Sequence, residues 1–238
     1  MDALFASSRG LKIEDQIALW HPNPSKLFFY ARSGAKLEEL QQNAYTFLYN
    51  HEDPTNCHVY FIAGLCDITY MDRHGGYEEV IYIESPQDTV TRIKNLIDSI
   101  SENVLVYGAK PCFSTIIPSS LNDWNFLRLS QNKTTHLLHF HQYNDMQYLL
   151  NRTILEINDH IEATNYSNQM KTPKLANTVI TQRRMSQTRF HLSRLADGVH
   201  PSDELAEQWA TWVKKSIANN RYFCTPDPSG WDDIPDRD

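Results

Sequence analysis

A serine near the start of the chain and an aspartate–histidine pair near its end could together perform nucleophilic catalysis. The pair is Asp197 and His200, which lie just before a predicted amphipathic helix. The serine is Ser8, which follows the first apolar segment. Such chemistry needs a histidine to take the hydroxyl proton and a carboxylate to hold that histidine in the right tautomer. We therefore predict Ser8 as the nucleophile, His200 as the base and Asp197 as the residue that orients the base.

The elements that must position these residues alternate between short apolar runs and amphipathic stretches of helix length. This alternation is typical of βα units around a largely parallel sheet. Strands are predicted at residues 2–6, 27–31, 57–63, 104–107 and 179–180. Helices are predicted at residues 9–19, 37–48, 87–101, 141–163 and 203–218. We expect an inserted hairpin within residues 68–84 and mostly loop from 109 to 139.

Three turns follow the first three predicted strands and carry residue types that suit a catalytic site. Ser8 follows the first strand, Gly34 the second, and residues 64–67 the third. The carboxyl ends of parallel strands gather at one edge of a sheet, which is where ligands bind in such folds. We therefore expect these turns to meet Asp197 and His200 at that edge.

The order of these segments resembles that of the SGNH/GDSL hydrolase superfamily over most of the chain. The family's first motif, Gly-Asp-Ser, corresponds to Ala-Ser-Ser at residues 6–8. Its second motif, a glycine after the second strand, corresponds to Gly34, and its third, Gly-x-Asn-Asp, to Gly-Leu-Cys-Asp at residues 64–67. Its last motif, Asp-x-x-His, is matched by residues 197–200.

The resemblance implies a flavodoxin-like three-layer α/β sandwich with a central parallel five-stranded sheet. It also implies hydrolysis of a small acyl ester, by an esterase or deacetylase, through an acyl-serine intermediate and without a cofactor. The oxyanion hole would consist of the backbone N–H groups of Ser8 and Gly34 and a donor at Cys66. A thiol is a weak donor where the family has an asparagine amide. Loss of one oxyanion donor typically lowers kcat by roughly 10²- to 10³-fold.

The departures from the first and third motifs leave a second function open, that of a catalytically inactive SGNH-like binding module. Residues 32–35 and the end of the third strand also resemble esterase-like domains of animal retrotransposons. Ser8 could serve only as a helix cap, and Ser7 is the alternative nucleophile if the turn is offset.

Two further groups of residues could bind ligands. His136, His139 and His141 invite a metal hypothesis, but their spacing fits no established zinc pattern, and we predict no metal site. Four arginines precede the last motif: Arg183, Arg184, Arg189 and Arg194. They form either a solvated surface or a contact with an anionic substrate or RNA.

Composition limits the alternatives. The chain has 238 residues, which suits one domain at residues 1–222 followed by an acidic, proline-rich tail at 223–238 that does not fold on its own. A formal net charge of −7 argues against a large nucleic-acid footprint. Four scattered cysteines and the lack of a visible signal peptide or spanning segment favour the cytoplasm. The oligomeric state is left open.

Overall fold

Parallel strands form the centre of the computed structural model, which describes residues 1–20, 27–74, 77–81, 85–184 and 187–223. The strands of the central sheet are β1 (Asp2–Ala6), β2 (Leu27–Ala31), β3 (His58–Ile62) and β6 (Lys110–Phe113). Two separate hairpins are β4–β5 (Tyr70–His74 and Tyr77–Ile81) and β7–β8 (Ile180–Arg184 and Gln187–Phe190). The helices are α1 (Ser8–Trp20), α2 (Leu37–Asn50), α3 (Leu65–Ile68), α4 (Pro86–Val106), α5 (Leu121–Ser130), α6 (Tyr143–Ser167) and α7 (Asp203–Phe223).

The register of the central sheet brings the ends of three strands together. The strand order is β2-β1-β3-β6, and every pairing is parallel. Ala6, the last residue of β1, lies beside Ala31 of β2 and Ile62 of β3. The segments that follow these three strands therefore leave the sheet at one edge, as the sequence predicted.

The buried side chains form a layer on each face of the sheet. Ala3 and Phe5 belong to a cluster with apolar residues of α2, α4 and α6. Leu4 and Ala6 belong to a second cluster with residues of α1 and α7. Because side chains alternate across a strand, neighbouring residues of β1 contribute to opposite layers. The predicted three-layer α/β sandwich is thus confirmed.

Helix α1 lies unusually close to the strand that precedes it. A Cβ atom on Gly10 would lie 2.1 Å from the Cβ of Ala6, so no other residue fits there without moving the helix. The same helix packs against α7. This places the start of α1, and with it Ser8, between the sheet edge and the segment that leads into α7.

The strand predicted at residues 104–107 is wrong. Those residues end α4, and the fourth strand is β6, a few residues later. Val104 continues the buried face of the helix, whereas Leu105 and Val106 are 44% and 83% exposed. A run of apolar residues at a helix end has the composition of a strand, and only packing distinguishes the two.

The fifth predicted strand, at residues 179–180, does not join the sheet either. Ile180 begins β7, which pairs with β8 and with no other strand in the described part of the chain. The central sheet therefore has four strands among the described residues, where the resemblance implied five. The predicted loop at 109–139 is also wrong, since it contains β6 and α5, whose N-cap Ser120 accepts a hydrogen bond from the N–H of Asp123.

The inserted hairpin predicted within residues 68–84 is confirmed as β4–β5. Asn125 of α5 holds it through two hydrogen bonds of 2.8 Å to the backbone of Val80.

The predicted boundary before residue 223 falls at the end of α7, and residues 224–238 lie outside the described part of the chain. No described helix combines the length and apolar character that a membrane crossing requires.

Candidate active site

Ser8 is the first residue of α1, directly after the turn that leaves β1. The N–H of Ser7 donates to the carbonyl of Ile62 at 3.0 Å, and the N–H of Gly10 donates to the carbonyl of Ser7 at 2.8 Å. These bonds tie the turn to the end of β3 and start the helix. The partly exposed Ser8 side chain is therefore held at the edge of the sheet where β1, β2 and β3 end.

The Asp197–His200 segment is a tight turn that Asp197 itself stabilises. Its Oδ1 accepts hydrogen bonds from the N–H of Val199 at 2.9 Å and from the N–H of His200 at 2.6 Å. Gly198 has a φ of +84°, and a Cβ there would lie 2.7 Å from the carbonyl oxygen of Ser120. Glycine is thus required by both the backbone conformation and the close approach of the neighbouring loop.

The side chains of Asp197, His200 and Ser8 form a continuous hydrogen-bonded chain. Nδ1 of His200 lies 2.6 Å from Oδ2 of Asp197, and Nε2 of His200 lies 3.1 Å from Oγ of Ser8. A proton on Nδ1, held by the carboxylate, leaves Nε2 free to accept the serine proton. The structure therefore brings together the three residues that the sequence predicted as a unit.

Electrostatics favour the ionised form of Asp197. Burial alone would raise the pKa of this carboxyl, but the hydrogen bonds from the His200 side chain and from the backbone N–H groups of His200 and Val199 outweigh it and lower the pKa. Asp197 is consequently a carboxylate at neutral pH, which is the state needed to hold the Nδ1 proton of His200.

Trp124 of α5 contacts the imidazole of His200. The two ring centroids lie 5.5 Å apart, at an interplanar angle of 61°. The guanidinium of Arg128 lies 5.8 Å from the centre of the Trp124 ring on the same helix. Trp124 packs against the His200 ring, and sequence reasoning missed it because α5 was predicted as loop.

Backbone donors lie at the sheet edge beside Ser8. The N–H of Ser8 is at the first position of a helix, where no partner exists within the helix. Gly34, with a φ of +74°, is in the turn after β2, which begins with a bond from the N–H of Arg32 to the carbonyl of Ala6. Within the described residues neither N–H has a protein acceptor, so both could bind an oxyanion.

Cys66 is in α3, directly after β3, and is partly buried. Burial raises the pKa of its thiol, against the opposing effect of the nearby Arg9. The side chain is therefore a neutral thiol at pH 7. It offers only a weak S–H donor at the position where the resemblance implies an amide.

Asp67 joins α3 to the segment that carries Gly34. Both of its carboxylate oxygens lie 3.2 Å from the N–H of Leu37, at the start of α2. Burial raises the pKa of the Asp67 carboxyl to about 7, although the Leu37 N–H acts in the opposite direction. The turn with Gly34 is thus fixed to α3 through a carboxyl that ionises near neutrality.

Asp67 should make the free energy of unfolding depend on pH. The folded state binds its proton more tightly than the unfolded chain, whose carboxyl has a pKa near 3.8, so this contribution is largest in acid and falls as pH rises towards 7. We expect the free energy of unfolding of the wild type to fall by up to about 4 kcal/mol, relative to that of Asp67→Asn, between about pH 4 and pH 8. Urea unfolding of both proteins measures this change. A difference that stays constant with pH would contradict it.

His136, His139 and His141, which the sequence places close together, do not form a cluster of metal ligands in the structure. His139 instead lies 3.1 Å, through Nδ1, from Oε2 of the buried Glu79, which also accepts a 2.9 Å bond from the hydroxyl of Tyr143. Among the described residues, no group of three or more potential ligands could hold a metal ion.

The four arginines before the last motif have different environments. Arg194 points inward and donates to the carbonyl of Thr178 and to Gln208. Arg189 is exposed on β8. The side chains of Arg183 and Arg184 lie outside the described part of the structure. The two alternatives for Arg183, Arg184 and Arg189, a solvated surface or a contact with RNA or an anionic substrate, therefore remain predictions.

Sequence reasoning also missed Arg9, which follows Ser8 and is only 5% exposed. A signal was present, because Arg9 is four residues before the fully buried Ile13 and eight before Ile17. That spacing places Arg9 on the buried face of α1.

Solved structures of several hydrolases resemble this chain. A GDSL-like lipase from Bacteroides thetaiotaomicron has a TM-score of 0.57 at 14% identity, covering 92% of this chain and 87% of that one. A lipase/acylhydrolase from Enterococcus faecalis has a TM-score of 0.57 at 12% identity, covering 92% and 95%. A member of the lipolytic G-D-S-L family from Veillonella parvula has a TM-score of 0.51 at 11% identity, covering 91% and 97%.

No protein-family model matches the chain, and no curated protein matches it by sequence. At the identities given above, the likeness to solved structures establishes the fold. Any shared chemistry has to be argued from the site itself.

Proposed function

We propose that this protein, whose fold is that of the SGNH/GDSL hydrolases, is a serine hydrolase that cleaves small acyl esters. The observation that carries the proposal is the unbroken chain from Ser8 Oγ through His200 to Asp197, with contacts of 3.1 and 2.6 Å. The side chains come from opposite ends of the polypeptide, and their geometry matches the distances that proton transfer requires.

In the proposed reaction, Ser8 Oγ attacks the acyl carbon while its proton passes to Nε2 of His200. The N–H groups of Ser8 and Gly34 hold the resulting oxyanion. His200 then gives the proton to the leaving alkoxide as the acyl–oxygen bond breaks, which leaves an acyl-serine. Water attacks this ester with His200 as the base, and the carboxylic acid and free serine are released. Asp197 remains ionised throughout and stabilises the imidazolium.

A fluorophosphonate probe tests the proposal directly. We expect it to phosphonylate Ser8, with the adduct found by mass spectrometry on the peptide that contains residues 7–9, and we expect hydrolysis of p-nitrophenyl acetate. A folded protein that neither reacts with the probe nor hydrolyses the ester would refute the proposal. It would support the second candidate function, an inactive SGNH-like binding module, which the thiol at Cys66 favours because an oxyanion donor is weakened there.

Substitution of Cys66 by asparagine should raise activity. The amide would supply the N–H donor that the neutral thiol lacks, and one such donor is typically worth roughly 10²- to 10³-fold in kcat. We expect Cys66→Asn to increase kcat for p-nitrophenyl acetate by about 10-fold or more. The gain should be smaller than that of a fully formed donor, because the backbone around residue 66 has not adapted to the larger side chain. Cys66→Ala and the remote Cys57→Ser serve as controls and should change kcat little. An unchanged or lower kcat in a variant with wild-type thermal stability would show that position 66 does not face the oxyanion.

The finer features of the function are proposals that rest on sequence alone. An esterase or deacetylase role is consistent with the site, and residues 32–35 suggest a relation to the esterase-like domains of retrotransposons. The cytoplasm suits a chain whose three described cysteines, Cys57, Cys66 and Cys112, are free thiols.

A further inference from the structure

Arg9 links the helix that carries Ser8 to the turn that carries Asp197 and His200. Its Nε donates to the carbonyl of Val199 at 3.0 Å. Its Nη1 donates to the carbonyl of Ile117 at 2.7 Å, and its Nη2 donates to the hydroxyl of Ser119. One buried side chain of α1 therefore contacts both the His200 turn and the loop that contains Ile117 and Ser119.

These acceptors are neutral, which is unusual for a buried guanidinium. Among the described residues, no carboxylate lies within ion-pair distance of Arg9. Burial lowers the pKa of Arg9 to about 10, although the nearby Cys66 and Asp197 side chains act in the opposite direction, so the Arg9 side chain remains a cation at pH 7. Burying a charge without an ion-pair partner is unfavourable unless its hydrogen bonds are well made. The three bonds made by Arg9 meet that requirement.

The other bonds of the His200 turn do not fix its distance from Ser8. Asp197 bonds the backbone of its own turn, and Leu195 pairs with Pro201 across the same segment. The N–H of Ser120 donates to the carbonyl of Gly198, but this bond comes from a loop that Arg9 itself holds through Ile117 and Ser119.

A second side chain of α1 reaches the same turn from solvent. Nζ of Lys12 lies 3.0 Å from the carbonyl of Pro201 and 3.3 Å from Asp203. The Lys12 side chain is 41% exposed, and exposed contacts of this kind contribute little. Of these two side chains of α1, Arg9 therefore makes the buried hydrogen bond to the residues on either side of His200, in addition to the packing of α1 against α7.

We propose that Arg9 is a positioning residue for catalysis, which holds the carbonyl of Val199 so that Nε2 of His200 stays within hydrogen-bonding distance of Ser8. This inference rests on the proposed hydrolase function and assigns a role to the residue next to its nucleophile. Arg9 contacts no reacting atom; it acts through the backbone of the turn.

The test compares Arg9→Met, Arg9→Lys and Lys12→Met with the wild type. A misplacement of about 1 Å at a catalytic group can cost about 10² in rate. We expect Arg9→Met to lower kcat for p-nitrophenyl acetate by about 10²-fold while KM changes by less than about threefold. Arg9→Lys should recover part of kcat, since an ammonium can still donate to Val199. Lys12→Met should stay within about twofold of the wild type.

Two further measurements separate positioning from general destabilisation and from failure of the proposed function. Asn220→Ala, which removes buried hydrogen bonds near the C-terminal end of α7, should lower thermal stability without lowering kcat. The NMR resonance of the His200 Nδ1 proton reports the bond to Asp197 without any turnover, and the His160–Asp98 pair provides an internal reference. We expect Arg9→Met to shift or broaden the His200 signal and leave the His160 signal unchanged.

An Arg9→Met protein with wild-type kcat and an unchanged His200 resonance would overturn the inference. So would a fall in kcat that Asn220→Ala reproduces at equal thermal stability. If the wild type reacts with neither ester nor fluorophosphonate, the hydrolase proposal fails. The His200 resonance then still decides whether Arg9 positions the turn, since a shift supports that role and its absence overturns it.

Discussion

Replacement of Ser8 by alanine should abolish reaction with a fluorophosphonate and lower kcat for p-nitrophenyl acetate by on the order of 10⁶. The substitution removes the attacking oxygen and the 3.1 Å contact with His200, but it leaves the backbone N–H of residue 8 in place. Alanine is a good helix former, so α1 should be retained. Probe-labelling and ester-hydrolysis assays with purified protein measure the loss of activity, and thermal unfolding shows whether the fold is retained.

Ser7→Ala is the matched control, because Ser7 is the alternative nucleophile from sequence and is the adjacent hydroxyl. The Ser7 side chain is only 5% exposed, and its backbone N–H bonds to Ile62 whatever the side chain. We expect Ser7→Ala to keep kcat within a fewfold of the wild type. If Ser7→Ala lost activity and Ser8→Ala retained it, the nucleophile would be Ser7, and the contact between His200 and Ser8 would not be part of catalysis.

Asp197→Asn should lower kcat by about 10⁴-fold with little change in the fold. The asparagine oxygen can still accept from the N–H groups of Val199 and His200, so the turn is preserved. Its amide N–H₂ would then face Nδ1 of His200, which must accept, and the ring proton would move to Nε2. In that tautomer His200 cannot take the proton of Ser8.

Asp98→Asn provides the matched control for Asp197→Asn. Asp98 pairs with His160 at 2.7 Å between α4 and α6, on the far side of the sheet from α1. The change removes the same kind of pair, and we expect kcat to be unaffected. A loss of activity in Asp98→Asn equal to that in Asp197→Asn would mean that the effect of the latter is one of stability. Full activity in Asp197→Asn would remove Asp197 from the mechanism.

Local patterns predicted β1, β2, β3 and α2 well. β1 was placed at residues 2–6, where it is found, because a buried apolar run between a polar start and a serine-rich turn has few other structures. The end of α4 was mistaken for a strand, because Val104 and its neighbours are apolar residues that occur both in buried strands and at the end of a helix. The exposure of Val106 is a property of the folded chain and leaves no mark on composition.

For the candidate site, spacing predicted more than residue types did. Asp197 and His200 were identified because they lie three residues apart on a turn before a predicted helix, which is the spacing of the last motif of the family that the sequence resembles. Arg9 and Trp124 were missed for different reasons: Arg9 was overlooked on the buried face of α1, and Trp124 is in a helix, α5, that was predicted as loop. Neither side chain acquires its role until loops from distant parts of the chain surround it.

The sequence by itself predicted the α/β class, a largely parallel sheet and the turn at residues 197–200, because hydrophobic period and short-range hydrogen bonding are local properties. Only the tertiary structure decided that Nε2 of His200 meets Ser8, 192 residues away along the chain, and that Arg9 reaches Val199. Such contacts depend on how α1, α7 and the intervening loops pack on the sheet. That packing is a collective result of many buried side chains and cannot be derived from any one segment.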